Sequence, residues 1–369
     1  MTRRFIALLL ALPLLVLAAC GSDTGAASTG AEQAQVDPSA AAAGDGARAD
    51  ELRLGFFANV THATALAGVS QNHFTEALGD TTLSTQVFNA GPSAVEALFA
   101  GSLDATYIGP NPAINAFAKS NGEAIRIIAG ATSGGASLVV QPEIASPADL
   151  RGKTLATPQL GNTQDVALRA WLAEQGYQVD PRGAGDVTVT PTENATTLQL
   201  FQDGAIQGAW LPEPWASRLV VEAGAKVLVD EKELWPDGQF VTTHLVVRTE
   251  FLEQYPGTVA DLLRGHVTST AWVQDNPAEA KTAVNDQIAA LSGKPLPQPV
   301  IDRAWENLTI TEDPVATSLK QSADDAVAAG LTEQVDLAGI YDLRLLNAIL
   351  TEQSLPTVED GGLGTEGTS

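Results

Sequence analysis

YIGPNPAI, residues 107–114, sets an extended run directly against a helix, with glycine and proline at the join. Ala105 to Ile108 is a β-type run, and Gly109-Pro110 stops it. Pro112 then opens an apolar helical pattern that reaches Lys119 and ends near Gly122. Such a junction is either a plain turn or a helix start held open for a ligand. Outward from it, the same order repeats. LRLGFF (52–57) precedes a helix over 61–78, and LSTQVFNA (83–90) precedes one from Pro92 to Ala100. KTLATP (153–158) leads to a helix over 163–175, VTVTP (187–191) to one over 195–203, and GAWLP (208–212) to one over 213–223. AIRIIAGA, SLVVQ, KVLVD and HLVVR read as further strands, and the chain beyond Phe251 is mostly helical. Strands alternating with short helices predict an α/β fold with largely parallel sheets. The alternation runs twice, over 51–130 and 151–230, which predicts two lobes. SLVVQ (137–141) and HLVVR (244–248) flank the second set and are expected to carry the two crossings between the lobes.

At six junctions, small polar or helix-starting residues follow a strand. These are Asn59, Thr61 and His62; Gly91, Pro92 and Ser93; Gly109 to Asn111; Gly161, Asn162 and Thr163; Asn194; and Pro212 to Pro214. Asn, Ser and Thr are favoured helix caps, and capping alone explains any one case. Strand C-termini of parallel sheets also line up on one edge, where ligands bind. The first helical turn offers free N–H donors and about half a positive charge, so several starts that converge make an anion site without an arginine. Neighbouring glycines let the backbone approach a ligand closely.

The chain ends and composition narrow the setting. MTRRF, an apolar run from Ile6 to Leu17 and LAAC form a signal peptide over 1–19, too short to remain as a spanning helix. Cys20 is the only cysteine and sits where a bacterial lipobox places its lipidated residue. It leaves no intrachain disulfide and no thiol for metal or catalysis. A lipid there gives surface attachment outside the cytoplasm rather than a membrane span. Residues 20–50, rich in Gly, Ala, Ser and Asp, are expected to be a flexible linker, and 351–369 a disordered tail. The formal net charge of −24 argues against nucleic acid and against polybasic membrane binding.

Four segments carry a family resemblance: LRLGFFANVTHATALAG, AGPSAVEALFAGSLDATYIGPNPAI, SPADLRGKTLATPQLGNTQDVALRAWL and DGAIQGAWLPEPWASRL. Over about residues 51–350 the chain resembles the solute-binding proteins of ABC importers in the nitrate, sulfonate and taurine group. The resemblance implies a two-lobe, type II periplasmic-binding-protein-like fold that closes about a hinge on a ligand cleft. Lobe 1 is expected at 51–137 and 243–350, and lobe 2 at 138–242. It also implies a monomer that binds a small oxyanion, an alkanesulfonate or taurine first, and hands it to a permease without cofactor or reaction. Nitrate or a pyrimidine precursor of thiamine is the alternative ligand; ANVTHA resembles the start of the pyrimidine-binding relatives, with Ala58 where they have another residue. Carried over residue by residue, the pocket takes Asn59, Thr61, His62, Ser93, Gly109, Asn111, Thr132, Ser133, Gly134, Asn162, Thr163, Gln164, Glu213 and Trp215. Trp215 or Trp210 is a candidate cover for an alkyl chain. Glu213 suits an amine and opposes an anion; as a first-turn acid it also simply favours its helix dipole.

Enzyme chemistry finds little support. His62, His73, His244 and His266 have no metal-type spacing, and no Gly-x-Ser-x-Gly elbow occurs. RGAGDV lacks the third glycine of a dinucleotide loop, and there is no phosphate loop. A repetitive surface protein would show a fixed period, and none is present.

Overall fold

Two β-sheets organise the chain, and both are built on one plan. The computed structural model describes residues 38–42 and 44–365. The signal peptide, Cys20 and most of the expected linker lie outside the described residues. The strands are β1 Glu51–Phe57, β2 Thr82–Phe88, β3 Ala105–Ile108, β4 Ile125–Gly134, β5 Ala136–Val140, β6 Thr154–Thr157, β7 Thr188–Pro191, β8 Gly208–Pro212, β9 Lys226–Asp230, β10 Val241–Arg248 and β11 Leu308–Ile310. The larger sheet has the order β11-β4-β10-β3-β1-β2 and the smaller one β7-β6-β8-β5-β9. β1 is parallel to β2 and β3, as β6 is to β7 and β8. Each sheet then accepts one antiparallel strand beside the third parallel one: β10 in the larger, β5 in the smaller. Both intruders are the segment that has just arrived from the other sheet.

The connecting helices are α1 Pro38–Ala42, α2 Ala63–Ser70, α3 His73–Leu78, α4 Gly91–Phe99, α5 Pro110–Lys119, α6 Thr163–Glu174, α7 Asn194–Gln202 and α8 Trp215–Ala223. Beyond the last crossing lie α9 Thr249–Gln254, α10 Pro256–Asp275, α11 Pro277–Ser292, α12 Gln298–Glu306, α13 Ala316–Ala328 and α14 Arg344–Glu352. The helix expected over 61–78 is two helices, broken at Asn72, which adopts the left-handed conformation at φ 63°. Asparagine tolerates that region better than most residues. The helix expected from Glu213 starts at Trp215, because Pro214 holds the non-helical position before it.

Strand periodicity sorts the smaller lobe's core into two layers. Leu138 and Val140 of β5 and Trp210 of β8 face one side with Leu155 and Trp171. Val139, Ala209 and Leu211 face the other, with Leu198, Phe201 and Leu219. The larger lobe shares a single core running from β1 to α14.

SLVVQ and HLVVR are not themselves the crossings: each strand lies wholly in one sheet. The chain passes from larger to smaller lobe at Gly135 and returns through residues 231–240. The two links are neighbours, since the Gly134 N–H donates to the Phe240 carbonyl at 3.1 Å. Gly134 and Gly135 both sit at φ +77°, a region that L side chains avoid, so this link needs glycine.

The packed structure also extends past the expected limits of 51 and 350. Ala41 and Ala42 of α1 are buried. Arg48 pairs with Asp261 at 2.7 Å and the Ala49 N–H donates to Thr258 Oγ1 at 2.8 Å. At the other end, Val358 exchanges two hydrogen bonds with Asn347, and the Thr365 N–H donates to the Tyr341 carbonyl. Composition suggested disorder at both places; a few apolar and paired groups suffice to hold them.

Candidate functional site

Four helix starts meet between the sheets. α4 and α5 rise from the ends of β2 and β3 in the larger lobe, and α6 and α7 from the ends of β6 and β7 in the smaller. Gly91, Gly109, Thr163 and Asn194, at or beside those four starts, line one cavity of about 30 Å³. Phe57, Asn59, Thr61 and His62 join it from the loop after β1, and Thr242 and Thr243 from β10. A water needs roughly 10–15 Å³ by this measure, so the cavity suits the head of a small solute rather than a whole one. Every lining side chain is uncharged apart from the titratable His62.

His62 is held neutral. Burial lowers its pKa to about 3, and its Nδ1 accepts the Phe57 N–H at 3.3 Å, which leaves Nε2 as the ring's N–H donor. Its ring lies over Phe57 with centroids 4.3 Å apart.

Thr163 and Asn194 differ from the other polar lining groups. Both are more than nine-tenths buried, and Thr163 Oγ1 and Asn194 Oδ1 have no hydrogen-bond partner among the described residues. A buried polar atom left unpaired costs about 1–3 kcal/mol, so these two positions ask for a guest. A half-turn of the Asn194 amide presents its N–H donors in the same place. Asn162, by contrast, is already engaged as the N-cap of α6: its Oδ1 accepts the Asp165 N–H at 3.0 Å and its Nδ2 donates to Gln164 Oε1 at 3.1 Å. Asp165 in turn accepts from the Thr157 hydroxyl and the Gly161 N–H and pairs with buried Arg169 at 3.1 Å, which fixes the start of α6.

Of the residues singled out by sequence, Asn59, Thr61, His62, Gly109, Asn162, Thr163 and Gln164 line this cavity. The others take different positions. Ser93 lies two residues beyond Gly91, which lines the cavity in its stead. Asn111 Nδ2 donates to the Ser322 carbonyl at 2.8 Å, on the far side of α5's first turn. Thr132 Oγ1 donates to the Thr61 carbonyl at 2.7 Å and so supports the loop from behind. Ser133 and Gly134 face a separate cavity of about 400 Å³ beside the crossings. Glu213 is buried and accepts from the Ser217 N–H, the Ser217 hydroxyl and Asn307 Nδ2. Burial raises its pKa, and those same bonds pull it back. Trp210 is a core residue whose Nε1 donates to Glu231 at 2.6 Å. Asn194, which the sequence marks as a helix start, lines the cavity as well, and Asn89, Thr242 and Thr243 join it without such a signal.

Three side-chain bonds join the lobes around the cavity. Trp215 Nε1 donates to Asn59 Oδ1 at 2.9 Å, Asn89 Nδ2 to Glu193 Oε1 at 2.8 Å, and Asn307 Nδ2 to Glu213 Oε1 at 2.7 Å. Gly109 lies against Thr163: a Cβ at Gly109 would come within 2.3 Å of Thr163 Oγ1. Only glycine permits this approach.

A family profile described as the NMT1-like family matches residues 45–288. A protein of Brucella abortus (strain 2308) named as a binding protein is 28% identical over 218 residues, 58% of this chain and 63% of its own. The taurine-binding periplasmic protein of Escherichia coli (strain K12) is 27% identical over 216 residues, 58% of this chain and 65% of its own. The chain thus spans a little under two thirds of the length of these curated relatives. The alkanesulfonate-binding protein from Xanthomonas axonopodis pv. citri, solved bound to MOPS, superimposes with a TM-score of 0.65 at 21% identity, over 78% of this chain and 96% of that one. The shared architecture is the two-lobed periplasmic-binding-protein fold. Among the described residues no helix is long and apolar enough to cross a membrane.

Proposed function

The chain belongs to the NMT1-like family, and from that premise we propose that it is the solute-binding protein of an ABC importer, capturing a small oxyanion between its lobes. The ligand class we infer is the sulfonate head group of an alkanesulfonate. One observation carries this reading: four helix starts, two from each lobe, line a single cavity with no carboxylate, lysine or arginine, whose one titratable side chain, His62, is held neutral. Each start contributes a partial positive charge, and first-turn N–H groups add donors where the residue is neither proline, as at Pro92, Pro110 and Pro112, nor already capped, which favours an anion there. The chain's net charge of −24 does not oppose this, because at physiological salt surface charges are screened over about 8 Å. The head cavity offers no carboxylate to an amine, and Glu213 is engaged with Ser217 and Asn307. That favours a plain sulfonate over taurine at the head itself.

The mechanism is binding without reaction. The ligand completes bonds to α4 and α5 on one side and to α6 and α7 on the other, so only the closed arrangement makes both sets. Delivery to a permease, as a monomer held outside the cytoplasm by a lipid on Cys20, completes the reading. Calorimetry with methanesulfonate, taurine, nitrate and an aminopyrimidine tests it. Methanesulfonate is expected to bind and the aminopyrimidine to fail. Binding of the aminopyrimidine alone overturns the sulfonate reading, and conversion of any of these compounds to product overturns the binding-protein reading.

A further inference from the structure

Two of the three side-chain bonds between the lobes differ in kind. The bond from Asn307 Nδ2 to Glu213 Oε1 lies against a crossing. There the Glu213 N–H donates to the Gly135 carbonyl at 2.8 Å, and Leu308, next to Asn307, pairs with Gly134. α12 of the larger lobe and α8 of the smaller pack beside it. Glu213 is only 1% exposed, and its carboxylate also accepts the N–H and the hydroxyl of Ser217. The bond from Asn89 Nδ2 to Glu193 Oε1 is the opposite case, with both residues exposed.

The head cavity lies between these two bonds. Pro212 and Thr61, whose N–H donates to the Glu213 carbonyl at 3.5 Å, line it beside the first; Asn89 and Asn194 line it beside the second. Of the lining residues only Asn89 is exposed, so the cavity meets solvent there. Opening the lobes must keep some contacts and give up others. A bond to a buried carboxylate has no water to replace it, and a state that loses it is disfavoured roughly tenfold or more. An exposed pair exchanges for water at a cost of about fivefold or less. Position agrees with energy: the links at Gly135 and at residues 231–240 stay joined through any opening, and atoms beside such links move least in a hinged rotation.

We propose that the lobes pivot on Glu213 and Asn307 and part at Asn89 and Glu193, so that the solute enters and leaves beside Asn89. Glu213 is then a positioning residue that does not touch the solute. It holds the start of α8 on the axis and, through Thr61, the adjoining wall of the cavity. The proposal rests on the reading of two closing lobes and not on which solute fills the cleft.

The test is distance measurement between paired spin labels in the full chain carrying Cys20→Ser. Cys20 is the only cysteine, so introduced thiols alone are labelled. Val87→Cys with Ala195→Cys reads the exposed side, and Val221→Cys with Glu306→Cys reads the pivot; all four positions are exposed and outside the cavity lining. Without ligand, the 87–195 spacing is expected to exceed that of the structure by several ångströms and to shorten on adding methanesulfonate. The 221–306 spacing is expected to match the structure throughout. A 221–306 spacing that moves as far, or an 87–195 spacing already at the structure's value without ligand, overturns the pivot. Asn307→Ala gives a second reading. A bond kept in both forms lowers the urea midpoint and leaves methanesulfonate affinity unchanged, whereas a loss of about tenfold in affinity assigns the bond to the closed form alone and overturns the proposal. If calorimetry finds no methanesulfonate binding in the wild type, the sulfonate reading falls, and the ligand-free spacings still decide the pivot.

Discussion

Trp215 and Asn59 come from different lobes and meet in one hydrogen bond, Nε1 to Oδ1 at 2.9 Å. Asn59 also lines the head cavity, so the bond ties the closure of the lobes to the shape of the site. Trp215→Phe keeps a ring for Arg218 to stack on and removes only the donor. Methanesulfonate affinity is expected to fall by about 1 kcal/mol, roughly fivefold, while urea unfolding shifts little. Unchanged affinity by calorimetry would detach this bond from closure.

Thr163→Ala and Asn162→Ala separate binding from folding. The Thr163 hydroxyl has no partner among the described residues, so its loss should leave the unfolding midpoint nearly unchanged and weaken binding by about 1–3 kcal/mol. Asn162 caps α6, so its loss should lower stability by about 1 kcal/mol whether or not ligand is present. Paired urea melts and calorimetry read both; a stability loss in Thr163→Ala would assign its hydroxyl to the fold.

Gly109→Ala is expected to block closure without harming either lobe. The backbone there, at φ −72°, accepts alanine, but the new Cβ meets Thr163 Oγ1 at 2.3 Å. Overpacking of this kind costs about 1–3 kcal/mol, here charged to the bound form alone. Adding Thr163→Ala removes the opposing atom, so the double variant should lose less affinity than the two single losses summed. Strict additivity would mean the two residues do not meet when ligand binds.

Buried titratable groups give opposite pH limbs. His62, His244 and His266 are lowered by burial to about 3, 4 and 4. Each stays neutral in the fold but takes a proton once unfolded, so their stability is complete above about pH 6.5 and is lost as pH falls towards 4. Glu231 acts in reverse. Burial raises it to about 7, so the folded state holds a proton that the unfolded chain releases above about pH 4.5, and stability declines as pH rises from there through 7. The Glu231 effect amounts to about 3 kcal/mol. Glu231→Gln, which keeps an acceptor for Trp210, should therefore gain on the wild type between about pH 5 and 7 in urea titrations and level off above that. A constant difference across that range would show Glu231 ionised throughout.

What the sequence disclosed follows from where its signals are local. A proline or asparagine after a strand marks a helix start whatever the tertiary structure, and so Asn162 and Thr163 stand where their neighbours in sequence place them. Which side of a first turn faces the cleft is not local. Ser93, Asn111 and Glu213 have suitable chemistry at suitable junctions, yet rotation about the helix axis gives Asn111 to Ser322 and leaves Ser93 off the wall. Thr242 and Thr243 escaped for another reason. β10 runs antiparallel to its neighbours, so its beginning, not its end, reaches the cavity, and a rule keyed to strand C-termini passes over it. The contacts of residues 38–50 were hidden by composition: small residues read as linker until Arg48 finds Asp261 across the fold.

The first described helix, α1, packs on α10 and α14, and the last described residues bond to Tyr341, all within the larger lobe. Both ends of the described chain therefore lie on the same half. A mooring applied at either described end loads that half directly, and the lighter half, joined to it along the chain through Gly135 and residues 231–240, carries neither the load nor the rope.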